Sequence, residues 1–457
     1  MTAHASAIPS TIRCAGCAHR AANDDPYPFR CPRAGTDDTD HVMTRVLGPG
    51  ASFPDGSDPG ASEDNPFVRY RALMHSWHVA SARQISDGAY CRLVQWLDAL
   101  VAAVEGRGFT VTPFFRSAEL SEALGFTSSG GVWVKNETGN VSGSHKGRHL
   151  MGVLIHLAVM EEAGVLDPQN RRDMAIASCG NAALAAAVIA RAGGWALTCF
   201  VPPDADDHVV RRLHELRASV EVCRREHGVP GDPTYLRLRA ALARGALPFT
   251  TQGSENGLSI EGGQTLGYEL VTDLGELPAG LDHLVVQVGA GALASSCVHA
   301  LREATRMGAL ARLPRVHTVQ TLGAHPLERA YWRVRALLPD EARAIDVQRA
   351  VAKAAAQRSA FMQPWEEEPK SVAAGILDDE TYDWRAVVEG MLLTGGRPLV
   401  APEDTLIEAN QLAATATGID VDATGSAGLA GLVKMRRSGV IGADENAAVL
   451  FTGVRRA

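Results

Sequence analysis

The chain has 457 residues, with 44 Lys and Arg against 52 Asp and Glu, for a net charge of −8. That length suits several compact units and a core that needs no covalent staples. The acidic balance argues against nucleic acid as the main partner, and 46% hydrophobic with 21% charged residues excludes a mostly disordered chain.

In chain order, the opening MTAHASAIPSTIRC has no apolar run of signal-peptide type. Residues 1–47 read as a small cysteine-containing extension, because Cys14, Cys17 and Cys31 fall there. Residues 48–66 (GPGASFPDGSDPGASEDNP) are a linker, mobile by composition. From Phe67 the pattern turns helical: RALMHSWHVASARQ and YCRLVQWLDALVAAVEG carry apolar residues at three- and four-residue spacing, with Ser86 or Asp87 as a candidate cap. Met74, Trp77 and Trp96 there read as core or as a dimer face. His75 and His78 read as surface or satisfied histidines rather than ligands.

From Val132 short apolar runs alternate with helical stretches. VWV (132–134) precedes a helix over about 146–163, MAIAS (174–178) a helix through Arg191, and ALTCFVP (196–202) a helix near 207–218. SVEVC (219–223), LVVQVG (284–289), VHTVQ (316–320) and AAVLFTG (447–453) follow. This alternation predicts parallel sheets flanked by helices, an α/β architecture. The longest apolar stretch, 182–201, is broken by Arg191, Gly193 and Gly194, so no membrane span is expected. Eight cysteines are too few for a disulfide framework, and the protein reads as cytoplasmic.

The segment VKNETGNVSGSHKGRH (134–149) is the most informative. A strand ends, a loop of small polar residues follows, and Lys146 stands where the loop meets a helix. An isolated lysine is ordinarily a solvated surface charge. A helix N-terminus repels a cation, so an uncharged amine bonded to a carbonyl carbon suits this place. Desolvation lowers an amine's pKa and makes it a nucleophile.

Here the sequence resembles the fold-type II pyridoxal-phosphate enzymes, the tryptophan synthase β-like group that includes threonine synthase, threonine and serine dehydratases and cysteine synthase. Arg148 fits that pattern, whereas Gly147 and His149 depart from it. The resemblance implies that Lys146 carries the cofactor as a Schiff base. It implies further that Asn181 meets the cofactor's 3′-oxygen, that Ser178, Cys179, Gly180 and Asn181 receive the substrate carboxylate, and that Gly289, Ala290, Gly291, Ala292 and Leu293 cradle the phosphate. Thr452 would stand against the pyridine nitrogen. Ile260–Leu270, Pro369–Ile376 and Asp422–Leu432 resemble further family segments. Alone, each is ordinary: a serine N-cap, a helix start, a lone GxG, a strand-end threonine. Alanines at 290 and 292 stand where relatives often have glycine, which a backbone cradle tolerates only at negative φ. Cys179 reads as a packing residue rather than a nucleophile.

The implied fold is two open doubly wound sheets with the small extension. Residues 67–149 form the helical segment and first part of the large domain, 150–253 the small domain, and 254–457 the rest of the large domain. The implied activity is that of a lyase on a hydroxy or O-activated amino acid, acting through an external aldimine and elimination. The alternative is a β-replacement synthase that adds a nucleophile to the aminoacrylate. The expected partners are a small amino-acid substrate and a second copy of the chain in a homodimer. A non-catalytic protein that keeps the fold would be expected to lack the lysine. A nicotinamide dehydrogenase would leave the lysine loop unexplained.

Cys14-x-x-Cys17 with Cys31-Pro32 looks like a short zinc ribbon, which some threonine-synthase-like proteins carry. A structural zinc needs four ligands, and no cysteine stands near Ala34; His19 or His41 could complete the set. The alternative is a group of unligated thiols. Cys91, Cys199, Cys223 and Cys297 read as small core residues. WEEEPK (365–370) reads as a solvated charge run, and the Arg/Ala-rich stretch 325–365 as helical, a candidate lid or interface.

Overall fold

The computed structural model describes residues 9–58, 60–225, 232–275, 277 and 280–456. The first eight residues of the stretch read for a signal peptide lie outside these. Twelve strands occur among the described residues: β1 (Ser10–Cys14), β2 (Met43–Leu47), β3 (Phe114–Ser117), β4 (Gly131–Asn136), β5 (Met174–Ala177), β6 (Leu197–Val201), β7 (Ser219–Val222), β8 (Leu247–Pro248), β9 (His283–Gln287), β10 (Arg315–Thr321), β11 (Pro398–Ala401) and β12 (Asn446–Phe451).

They form two α/β sheets and a ribbon. The larger sheet has the order β11-β10-β9-β12-β4-β3 and is parallel except for the edge strand β3, which runs antiparallel to β4. The smaller is the parallel sheet β7-β6-β5-β8. Every residue of β9 and β12 is buried, as expected of central parallel strands covered on both faces. The expected pair of open sheets is therefore present, and the anticipated strands lie within one or two residues of their places.

The ribbon pairs β1 with β2 antiparallel, Ser10 opposite Leu47 and Cys14 opposite Met43. It is no loose appendage. Ile12, Cys14, Phe29, Cys31 and Met43 are buried in one cluster with Leu150, Leu154 and Leu258. A Cβ on Gly257 would come within 1.8 Å of the Met43 carbonyl oxygen. From β2, Arg45 reaches Glu261 (2.9 Å) and Glu303 (2.7 Å). Phe53, in the 48–66 segment, packs against Tyr70 and Tyr268.

Local signals explain the helices. The helix Asp87–Glu105 starts with the Ser86 side chain accepting from the Ala89 N–H and ends at Gly106 with φ +80. On it Trp96 is 57% exposed, so it does not belong to the core; Met74 is buried, and His75 bonds Ser10 Oγ at 3.0 Å. The charge run at 365–370 is more tethered than its composition suggests. Trp365 packs on His325 and lies under Arg329, whose guanidinium also pairs with Glu366 at 2.8 Å.

Candidate active site

Three neighbouring strands of the large sheet, in the order β9-β12-β4, deliver the central residues at their carboxyl ends. Beyond β4 the chain loops through Asn140–Ser144 into the helix Lys146–Glu162; beyond β9 Gly289–Gly291 opens the helix Ala292–Arg306; beyond β12 stands Thr452. From the small sheet, β5 leads through Ser178–Gly180 into the helix Asn181–Gly193. None of these three helices has a side-chain cap. Their free N–H groups favour negative charge.

Lys146 is the first residue of its helix, and its Nζ approaches Thr251 Oγ1 at 3.5 Å. Burial pushes its pKa down, opposed by the carboxylates of Asp378 and Asp383. His145 and His149 flank it. Burial and the neighbouring Lys146 amine keep both imidazoles neutral, His149 falling to about 3. His149 Nδ1 bonds the Ser259 carbonyl at 2.9 Å, and a Cβ added to Gly147 would meet Phe109 and the Val141 carbonyl at 3.2 Å. The two departures from the family pattern thus have local packing roles.

Two residues beyond Lys146 the helix is locked in place. Arg148 is fully buried, bonding both oxygens of Glu137 (2.8 and 2.9 Å), Glu269 (2.6 Å) and Thr265 (3.1 Å). Thr265 and Glu269 come from the helix Leu258–Gly275, which meets the Lys146 helix where a Cβ on Gly152 would lie 2.7 Å from Gly262 Cα. The Ile260–Leu270 segment is therefore a packing and ion-pair partner of the lysine helix.

Gly291 has φ +100, whereas Ala290 and Ala292 are not among the positive-φ residues, so alanine is tolerated at both positions; Gly289 is kept by close packing, since a Cβ there would lie 2.3 Å from Asp378 Oδ2. Thr452 is buried, and its Oγ1 accepts from Gln287 Nε2 at 2.5 Å. The two N–H groups of Gln287 Nε2 are shared among Thr452 Oγ1 and the carbonyls of Gly425 and Leu450, three acceptors that fix the amide's orientation. The Thr452 hydroxyl, already an acceptor, is left to donate its own proton. Asn181 Oδ1 accepts from Arg456 Nη2 at 2.8 Å, which leaves the Asn181 NH₂ as the free donor. Gln287 and Arg456 are absent from the sequence reading. One sits inside a strand and the other lies beyond the last motif.

Segment 378–383 packs over the cradle and is the larger omission. Thr381 Oγ1 donates to the Gly289 carbonyl (2.9 Å) and Asp383 N–H to the Ala290 carbonyl (3.0 Å). The Asp378 carboxylate lies against the cradle backbone, where a Cβ on Gly289 would come within 2.3 Å of its Oδ2. The Asp383 carboxylate accepts from the Gly253 N–H at 3.3 Å, two residues along from the Thr251 that Lys146 approaches. Burial raises Asp378 to about 6, with Lys146 pulling the other way. Burial raises Asp383 to about 7, against the Gly253 N–H.

For Asp383 the stability held by the protonated carboxyl is complete below about pH 4 and is lost as pH rises through about 7. Asp383→Asn keeps the acceptor without the titration. In urea denaturation it is expected to match the parent near pH 4 and to be more stable at pH 8, by on the order of 4 kcal/mol. Equal stability at pH 8 would contradict the burial of an ionisable carboxyl there.

In the extension, Cys14, Cys17, Cys31 and His41 converge, with one ligand atom each all within 4.8 Å of one another. Cys17 Sγ lies 3.6 Å from Cys31 Sγ, and Cys14 Sγ 3.4 Å from His41 Nδ1. His41 Nε2 meets Asp37 Oδ1 at 3.0 Å. His41, not His19, is the fourth member of the group.

Residues 107–453 match the family of pyridoxal-phosphate dependent enzymes. The chain belongs to that family. This pyridoxal-phosphate dependent enzyme is 25% identical over 345 residues to a threonine synthase of Methanocaldococcus jannaschii, covering 75% of the chain and 74% of the relative. It is 26% identical over 347 residues to a threonine synthase of Mycobacterium leprae, covering 75% and 80%. Among solved structures, a threonine deaminase from T.th. superposes with a TM-score of 0.57 at 19% identity, covering 79% of this chain and 98% of that one. Maize serine racemase gives 0.57 at 15%, covering 80% and 93%. The enzyme thus shares its fold with that group.

Proposed function

We propose that the enzyme acts by elimination on a hydroxy or O-activated amino acid, expelling a β-substituent in the manner of the threonine and serine dehydratases or a γ-substituent in the manner of threonine synthase. The observation that carries this is the convergence of Lys146, an uncapped Ser178–Asn181 loop and the Gly289–Leu293 cradle at the ends of adjacent strands. The named relatives lean the same way. A β-replacement reaction is the second reading, and it differs only in what captures the product.

The residues fit pyridoxal phosphate. The Gly289–Leu293 turn opens a helix with no side-chain cap, so its N-terminal backbone N–H groups suit a phosphate. A Cβ on Gly180 would meet nothing within 4 Å, so that loop is open to a ligand. Lys146 would tether the cofactor aldehyde, and Gly289, Ala290, Gly291, Ala292 and Leu293 would hold its phosphate. The Asn181 NH₂ would donate to the 3′-oxygen, and Thr452 Oγ1 to the ring nitrogen. A hydroxyl there, unlike a carboxylate, would not hold that nitrogen protonated. When bound, the cofactor supplies an electron sink for the pair left at Cα. Ser178, Cys179, Gly180 and Asn181 orient the substrate carboxylate on the helix N-terminus. Lys146 Nζ takes the proton from Cα. A screen of serine, threonine, their O-acetyl and O-phospho forms and O-phosphohomoserine tests this reading. Keto acid or inorganic phosphate is expected, and inertness toward all of them would refute it.

The same reading places a structural zinc on Cys14, Cys17, Cys31 and His41. Tetrahedral zinc–thiolate bonds of about 2.3 Å put ligand sulfurs about 3.8 Å apart, close to the Cys17–Cys31 separation of 3.6 Å. Asp37 would fix the His41 tautomer. Protein purified without chelator is expected to contain roughly one zinc per chain, and Cys31→Ser to lose it together with thermal stability. A metal-free protein of unchanged melting temperature would rule the site out.

Residues 150–253 would form the smaller domain, supported by its own four-stranded sheet. A cytoplasmic setting agrees with eight free thiols. No described helix is long and apolar enough to cross a membrane. The family resemblance also implies a homodimer, which sedimentation would test.

A further inference from the structure

The phosphate cradle is aimed from behind. A peptide unit is rigid, so pinning its carbonyl also points the N–H that follows. Thr381 Oγ1 pins the Gly289 carbonyl at 2.9 Å, and the Asp383 N–H pins the Ala290 carbonyl at 3.0 Å. These two bonds therefore set the directions of the Ala290 and Gly291 N–H groups, which are donors of the cradle. Glu380 stands directly before Thr381, and its carboxylate pairs with Arg358.

Arg358 joins that segment to the cysteine-bearing extension. Its Nε lies 3.3 Å from Asp40 Oδ1, so one guanidinium is forked between carboxylates of two segments. A planar fork of this kind fixes the spacing of what it holds. The Arg358 N–H also donates to the Asp38 carbonyl at 2.8 Å, and the Asp40 N–H to the Ala355 carbonyl at 2.7 Å. The Asp38 carboxylate accepts from Ser359 N–H at 3.0 Å and from Ser359 Oγ at 2.8 Å, which seats Arg358 on the loop. Asp38 and Asp40 lie in the stretch between Cys31 and His41, two of the four residues that converge in the extension. The second wall near the lysine is tied to the same place. Arg30 pairs with Glu255 at 3.0 Å, and the Phe29 carbonyl accepts from the Gly257 N–H at 2.8 Å. Thr251 and Gly253 belong to that stretch, and Gly253 meets Asp383.

We propose that the extension sets how tightly the cofactor's phosphate is held, and that Arg358 is the positioning residue through which the 37–41 loop acts on the cradle. This rests on the cofactor reading above and deepens it. It is independent of the zinc reading, because the contacts run from Asp38 and Asp40 and not from the cysteines.

The test uses the full chain. Borohydride fixation of pyridoxal on Lys146, run first, checks the cofactor reading by itself. Pyridoxal phosphate and pyridoxal, which lacks the phosphate, are then titrated into the cofactor-free protein. Arg358→Met is expected to weaken binding of pyridoxal phosphate by about 10-fold, within the usual range for coupling between sites. It should leave the affinity for pyridoxal unchanged, since the defect lies at the phosphate. The phosphorus NMR resonance of the bound cofactor should move in the same variant. Asp38→Ala, at an exposed position, should weaken pyridoxal phosphate in the same sense. Combined with Arg358→Met it should add nothing, because both act through one contact. Unchanged pyridoxal phosphate affinity in either single variant, an equal loss for pyridoxal, an unmoved resonance, or additive losses in the double variant would each overturn the proposal, even with pyridoxal fixed on Lys146.

Discussion

Lys146→Ala is expected to abolish borohydride-fixable pyridoxal and to lower turnover by roughly 10³-fold or more, since one residue supplies both the covalent tether and the base for the Cα proton. The loss should be chemical, not structural. The Lys146 amine makes one long contact, 3.5 Å to Thr251, and stands where burial disfavours its charge. Removing it should leave the melting temperature close to that of the parent. Lys146→Arg sharpens the point. It keeps a cation opposite Asp378 and Asp383, but a guanidinium does not give up its proton in a protein, so it should fold and remain as inactive as the alanine variant. Near-normal turnover in either variant, measured as keto acid released, would remove Lys146 from the chemistry. Because the alanine variant also strips Asp378 and Asp383 of their opposing charge, its cofactor-free form should bind inorganic phosphate more weakly than the parent does.

What could be read from the chain alone follows from how local each feature is. A strand, a glycine-bearing loop and a helix in succession is a pattern of about twenty residues. Lys146, Ser178–Asn181 and Gly289–Leu293 each lie at such a junction, and Thr452 ends the last strand. Their common location needed only the rule that ligands gather at the carboxyl ends of parallel strands. Asp378 and Asp383 gave no such signal. The run DDETYD resembles a solvated acidic turn, and its burial comes from packing on Gly289 and Gly253, 89 and 130 positions earlier in the chain by residue number. Only the neighbouring SVAAGI pointed toward the site. The ribbon strands β1 and β2 were missed for the same reason. Their five-residue runs alternate weakly, and β2 is held by Arg45 pairing with Glu261 and Glu303. β8, two residues long, carries no periodicity at all. The cysteines were legible as a group because metal-ligand spacing is local. The choice of His41 over His19 required the fold.

Arg148→Met should cost about 3–5 kcal/mol of stability, the range for breaking a buried ion pair from one side. Arg148 is fully buried and is the shared partner of Glu137 on the segment following β4 and Glu269 on the Leu258–Gly275 helix. Its loss leaves Glu137 with Thr112 and Asn140 as neutral donors and no cation of its own. Lys135 still reaches Glu269 at 2.9 Å, so the deficit should fall chiefly on Glu137. The pH dependence separates this from simple loss of packing. In the parent, burial tends to raise Glu137 but Arg148 outweighs it, so its pKa is depressed. The stability it contributes is present above its unfolded pKa and is lost as pH falls through the folded one. Without Arg148, burial outweighs the Thr112 and Asn140 hydrogen bonds and the sign reverses: Glu137 prefers its proton when folded, and stability falls as pH rises from about 5 to 8. The gap between parent and variant should therefore be widest near pH 8 and narrow toward pH 5 in urea denaturation. Adding Glu137→Gln to Arg148→Met should recover part of the loss at pH 8 and little at pH 5. A gap that does not change with pH would mean that Arg148 acts through its packing volume and not its charge. Since Lys146 lies on the same helix two residues earlier, the variant's cofactor affinity should fall along with its stability.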